Sequence, residues 1–183
     1  RADVAVIGYG IEKFGLKPNL KISVHTGSDK FSLYPGMGRI VRELGTGIHL
    51  KTAGTTWLEE LIGLAEGGDE GLAIGKEIYR TAYGMYDELA APYADVIDID
   101  PAALPSPDEV DGWTAKQFVS ALRHDQSNPA YDKNFRQLLH VSFKLAAKMG
   151  QRYLDALATY REDVERNVTE NIYDRHLKPL FVD

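Results

Sequence analysis

Three of the five histidines lie in short segments with the alternation of β-strands: KISVHT (Lys21–Thr26), IHLKT (Ile48–Thr52) and QLLHVSF (Gln137–Phe143). Successive side chains on a strand point to opposite faces. Ile22 and Val24 then oppose Ser23 and His25, and Ile48 and Leu50 oppose His49 and Lys51. Leu139 and Val141 oppose Leu138, His140 and Ser142. Each segment thus pairs an aliphatic face with a face that carries one histidine and a polar or charged neighbour. Neutral imidazole is the commonest ligand for zinc and similar divalent ions. Three converging His or carboxylate ligands with an open position make a catalytic metal site. A lone strand histidine is more often a hydrogen-bonded interior residue. Three in matched phase leave the two readings level, since no short ligand spacing such as HxxxH occurs.

The flanking residues add polar chemistry. The stretch Thr26-Gly27-Ser28-Asp29-Lys30 follows His25 directly. Its hydroxyls, carboxylate and ammonium suit the hydroxyls and carboxylate of a sugar acid, or simply a polar loop. Lys51 shares the face of His49. A lysine on an inward face is costly unless paired, so it meets a carboxylate within the protein or on a substrate. Asp98 and Asp100 share a phase that suits ligands or bases, but beside a proline-rich stretch the structural reading is the stronger. His124, beside Asp125, reads as a cap or surface residue, and His176 as surface or packing, with closure over the site as the lesser alternative. Trp57, Trp113 and the helical tyrosines read as packing. The run Arg161–Arg166 reads as a solvated helix face.

The elements that must hold these residues follow from the apolar spacing. Val4, Ile7, Ile11 and Phe14 favour a short helix, against which Gly8 and Gly10 speak and with which a strand at Asp3–Ile7 competes. A further short helix is expected over Arg39–Leu44. Leu58, Leu61, Ile62 and Ala65 predict a helix over Trp57–Ala65, with Thr55 or Thr56 as its cap. A long helix is expected over Leu72–Leu89, another over Trp113–His124, and mostly helix from Lys144 to Leu180 with a break near Gly150. Val96–Asp100 adds a strand candidate. Alternating strands and helices predict an α/β fold with parallel strands. A full (β/α)8 TIM-type barrel takes ~250 residues, and this chain supplies roughly half of one. Helices cover the outside of such a barrel, so the histidine faces would point inward. The glycine-containing segments after His25 and His49 would put both near the catalytic, carboxyl end. A half-barrel leaves two sheet edges unpaired, which predicts self-association or an altered sheet closure.

The chain has 183 residues, 44% of them hydrophobic, a formal net charge of −6 and no cysteine. One single domain over residues 1–183 is expected. The acidic balance argues against a broad nucleic-acid or membrane surface, while leaving room for a small anionic substrate. The lack of cysteine removes disulfides, thiolate nucleophiles and Cys-based metal sites. No apolar run reaches bilayer length and no signal peptide is visible, so a cytoplasmic location is expected. Arg1 opens the chain inside a patterned segment, which suggests a fragment of a larger barrel enzyme.

Over KISVHTGSDKFSLYP (Lys21–Pro35), IHLKTAGTTWLEEL (Ile48–Leu61), LLHVSF (Leu138–Phe143) and YDRHLKPLF (Tyr173–Phe181), the chain resembles the tagaturonate/fructuronate epimerase family. The resemblance runs over most of the chain and over the later part of the family's length. It implies a (β/α)8 barrel's later half with a helical carboxy-terminus. It also implies a divalent-metal-dependent epimerase of keto-hexuronates in hexuronate breakdown, with zinc, manganese or nickel as the metal. Carried over residue by residue, it implies His25 and His49 as metal ligands. Lys30, Lys51, His140, Ser28 and Asp29 would surround the sugar-acid substrate. The family's amino-terminal portion would hold a further ligand and an acid/base carboxylate, so no catalytic acid or base is assigned within this chain. Two alternatives are another metal-dependent ketose isomerase or aldolase, and a non-catalytic barrel fragment.

Overall fold

A computed structural model describes residues 1–25 and 30–182. The chain divides into two compact units, Arg1–Ala53 with Glu170–Asp183, and Gly54–Thr169.

The first unit holds both β-strands found among the described residues. Helix α1 (Ala2–Phe14) leads to β1 (Lys21–His25). A 3-10 turn (Phe31–Leu33) runs into α2 (Tyr34–Leu44), which is followed by β2 (Gly47–Lys51). β-Branched residues at Ile22, Val24 and Ile48 suit the pleated backbone. The strands pair in parallel, with Lys21 opposite Gly47, Ser23 opposite His49 and His25 opposite Lys51. The chain returns to this unit as a wide-wound π-helix, Glu170–Val182, with Pro179 inside it.

The second unit is helical. It comprises the rest of α3 (Ala53–Gly67), α4 (Asp69–Gly84), α5 (Tyr86–Ala90), α6 (Pro107–Asp111), α7 (Ala115–Leu122), α8 (Lys133–Val141), α9 (Phe143–Met149), α10 (Gln151–Thr159) and α11 (Arg161–Thr169). Its core joins Leu58, Leu61 and Ile62 of α3 to Ile74 and Ile78 of α4, Phe118 and Leu122 of α7, and Leu138 and Leu139 of α8. Phe135 centres the aromatic packing, with ring centroids 4.6 Å from Tyr79, 5.2 Å from Trp113 and 5.3 Å from Phe118. Capping boxes start α6 (Ser106 with Glu109) and α7 (Thr114 with Gln117). Each supplies two otherwise orphaned backbone donors with acceptors.

The expected barrel half is not what forms. The fold is mostly α-helical, with two parallel strands and no closed sheet among the described residues. Two of the expected strands are replaced by other structure. Gln137–Phe143 lies in α8 and the start of α9. Phe135, Leu138, Leu139 and Ser142 are all buried, and they recur at the i, i+3, i+4, i+7 spacing of one helix face. The Asp132 side chain caps α8 by accepting from the Asn134 and Phe135 amides at 2.8 and 3.0 Å. Val96–Asp100 forms no strand, because its backbone finds side-chain partners instead. The Asp98 amide donates to Gln137 Oε1 at 2.8 Å, and the Asp98 carbonyl accepts from Gln137 Nε2 at 3.0 Å. The Asp100 amide donates to Asn134 Oδ1 at 3.0 Å. Amide side chains of α8 thus satisfy the groups that a neighbouring strand would have taken. The start of α3 also differs from the expectation. It begins at Ala53, so Thr55 and Thr56 sit inside the helix rather than capping it.

Candidate functional site

Parallel pairing of β1 and β2 settles which strand residues share a face. Ile22, Val24, Ile48 and Leu50 lie half-buried on one side, while Ser23, His25, His49 and Lys51 are exposed on the other. The alternation is as expected, but the direction is not: with no barrel to enclose it, the face of His25, His49 and Lys51 is exposed rather than turned inward. The register places Ser23 beside His49 and His25 beside Lys51. His25 and His49 are therefore diagonal neighbours on adjacent strands, two residues out of register. With strands ~4.8 Å apart and a rise of ~3.3 Å per residue, their Cα atoms stand about 8 Å apart. Two imidazoles at that separation can turn onto one ion.

Lys30 joins the same neighbourhood through the backbone. Its Nζ donates to the His25 carbonyl at 3.1 Å, which returns the side chain to the end of β1. The Lys30 amide donates to the Tyr34 hydroxyl at 3.3 Å. The strand face thus carries two imidazoles and the Lys51 ammonium, with the Lys30 ammonium at its carboxyl end. Ser28 and Asp29 lie outside the described residues.

The donor chemistry fits a divalent cation in part. Two neutral imidazoles on one face are sound ligands for zinc, manganese or nickel. Among the described residues, no group of three His, Asp or Glu side chains is placed to hold an ion. His25 and His49 by themselves fall short of the three ligands that a catalytic metal site uses.

His140 is placed differently. It lies on α8, in the helical unit, and not on a strand. A Cβ at Gly54 would meet its Nε2 at 2.5 Å, so the ring sits close against the opening of α3 and glycine is what admits it. The strand phase that grouped His140 with His25 and His49 does not exist.

Other titratable residues fall into structural roles. Asp98 pairs with Lys133 at 2.8 Å, and Asp100 caps the turn at Ala102. His124 stacks on Tyr131, with ring centroids 5.5 Å apart. Glu59 is almost fully buried on α3, with Arg123 Nη1 4.0 Å away. Glu60, next to it, accepts from the Tyr153 hydroxyl at 3.0 Å. Burial holds the Glu60 carboxyl above its ordinary range, against the lowering effect of that hydrogen bond. A helix starting at Trp57 would hold both glutamates in its first turn, and the earlier start of α3 moves them inward. His176, which the sequence places between surface and core, is fully buried. Its presence in the YDRHLKPLF segment is the signal that sets it apart.

Two comparisons with known proteins bear on this site. Residues 13–180 match the sequence profile for tagaturonate epimerase. A curated relative, the tagaturonate/fructuronate epimerase of Thermotoga maritima, is 33% identical over 165 residues, which is 87% of this chain. The chain spans 30% of the length of that relative. No solved structure matches the chain.

Proposed function

The chain belongs to the tagaturonate epimerase family, and from that premise we propose that it furnishes part of the site of an epimerase acting on tagaturonate and fructuronate. The observation that carries this reading is the shared exposed face of His25 and His49, with Lys51 in register beside His25.

In this reading His25 and His49 are two ligands of a divalent cation. When bound, that cation supplies Lewis-acid charge to oxygens of the keto acid. Lys51 and Lys30 bind the substrate carboxylate, an ammonium–carboxylate pairing stronger than a neutral hydrogen bond. Ser28 and Asp29 take its hydroxyls. His140 is a proposed substrate contact on the strength of the LLHVSF motif alone. The remaining ligand and the acid/base groups come from the part of the family's length that this chain does not span.

The two sugar acids differ at C4, which is not adjacent to the C2 ketone, so removal of an α-proton cannot invert it. A retro-aldol route can. A base takes the C4 hydroxyl proton, the C3–C4 bond breaks, and its electrons pass to an enediolate over C2 and C3. The C4 aldehyde rotates, C3 attacks its other face, and the proton returns to the C4 oxygen. The C4 hydrogen stays in place throughout. Running the reaction in deuterium oxide tests this: product with no deuterium at C4 is expected, and deuterium at C4 would sink the route. Substrate profiling tests the activity itself. Movement of the carbonyl, rather than inversion at C4, would favour a ketose isomerase.

A further inference from the structure

The carboxy-terminal π-helix is built into the strand-bearing unit by contacts that converge on the residues after β1. His176 and Tyr34 are both fully shut from solvent, with ring centroids 5.0 Å apart. Phe31 packs edge-on to both, at 5.1 Å from His176 and 6.0 Å from Tyr34. The guanidinium of Arg175 lies over the Phe31 ring, 3.6 Å from its centroid. His176 Nδ1 stands 2.7 Å from the Asn171 carbonyl oxygen. A carbonyl only accepts, so Nδ1 carries the proton of that bond, and the ring orientation is set by its own helix. The same helix is seated on α2. A Cβ at Gly38 would meet the Pro179 oxygen at 2.5 Å, and Arg42 Nη1 donates to the Leu180 carbonyl at 3.4 Å.

Tyr34 connects this buried cluster to the site. Its hydroxyl accepts the Lys30 amide, and the Lys30 ammonium reaches back to the His25 carbonyl. We infer that Tyr34 and His176 are positioning residues for Lys30: the His176 ring wedges Tyr34, and the Tyr34 hydroxyl fixes the backbone from which Lys30 reaches the end of β1. This rests on the proposal that Lys30 binds the substrate carboxylate. Tyr34 and His176 touch no substrate in this arrangement. They act through Lys30, so their loss weakens substrate binding and leaves the chemical step alone.

The test is steady-state kinetics on tagaturonate with saturating divalent cation, on protein that carries these residues together with the part of the family's length this chain does not span. The variants are Tyr34→Phe, His176→Leu and His176→Asn, each alone and on a Lys30→Met background. Loss of the Tyr34 hydroxyl is expected to raise KM about 2- to 10-fold, the span of one net hydrogen bond. The kcat stays within about twofold, the signature of lost uniform binding. His176→Leu gives the same pattern, and His176→Asn, whose amide still donates to the Asn171 carbonyl, recovers most of it. On Lys30→Met none of the three raises KM further, because residues that act through one group are not additive. A KM rise of the same size on both backgrounds overturns the inference, as does an unchanged KM with only a lower melting temperature. If His176→Leu fails to fold, Tyr34→Phe alone carries the comparison, since it removes one oxygen. Absence of tagaturonate turnover by the unsubstituted full-length protein overturns the proposed function instead, and this inference with it.

Discussion

In the helical unit Leu58, Leu61, Ile74, Phe118, Phe135 and Leu138 are fully shut from solvent and pack as one cluster. In the strand-bearing unit the buried hydrophobic residues, among those described, are Val4, Tyr34 and Leu180. Val6, Tyr9 and Phe14 of α1 are largely exposed there, and the aliphatic side of the sheet is only half-covered. One unit carries apolar mass and His140, and the other carries His25, His49, Lys30 and Lys51. The difference separates two kinds of substitution, because folding energy comes chiefly from apolar burial while exposed polar residues contribute little to it. Stability and function should therefore respond to different halves of the chain.

The largest effect expected is on turnover. His25→Ala and His49→Ala should each cut epimerase turnover by more than about 100-fold, since even residues that only orient a metal ligand cost 10- to 100-fold. Both are exposed, so melting should stay within about 2 °C of wild type. A melting loss as large as the loss of turnover would erase the division between the units. The converse substitution is Leu138→Ala. It should cost roughly 2–5 kcal/mol by denaturant unfolding, because it leaves a cavity in the helical core. Activity per folded molecule should hold.

Much of the candidate site is legible in the amino-acid order. β-Branched residues at Ile22, Val24 and Ile48, alternating with Ser23, His25 and His49, define the strands and their faces together. The apolar sets of α1 and α3 are legible as well. The barrel is not, and LLHV shows why. Leu139 and Val141 satisfy a two-residue period, Leu138 and Leu139 satisfy a helical period with Phe135 and Ser142, and a short apolar run cannot separate the two. The decisive features are the Asp132 cap and the amides of Asn134 and Gln137, which lie upstream of or within the run and two of which find partners far away in sequence. VIDID misleads for a related reason. Its alternation is real, but its hydrogen-bond partners are side chains. Extrapolating strand–helix alternation across those two segments makes a barrel out of two true strands.

A smaller effect sharpens that point. Asp132→Ala should cost about 1 kcal/mol of stability, the usual loss for a helix cap. Were residues 137–143 a strand, Asp132 would be a loop residue and its removal close to neutral in urea titrations. The smallest effect concerns Glu60. Burial raises its carboxyl in the folded state, so folding favours the protonated form. That stabilisation is complete below the ordinary carboxylate range and is lost as pH rises through the raised folded value. Glu60→Gln keeps an acceptor for Tyr153 and removes the charge. Its melting temperature relative to wild type should rise as pH increases from about 4 to 7. A flat or falling difference would contradict the buried-carboxyl assignment.

The most direct test is calorimetric titration of manganese, zinc and nickel into the wild-type protein, His25→Ala and His49→Ala. Binding by wild type, with each alanine variant weaker by at least about tenfold, is the result expected of two ligands on one strand face. Equal affinity in all three proteins, or no binding of any of these ions by wild type, would contradict it.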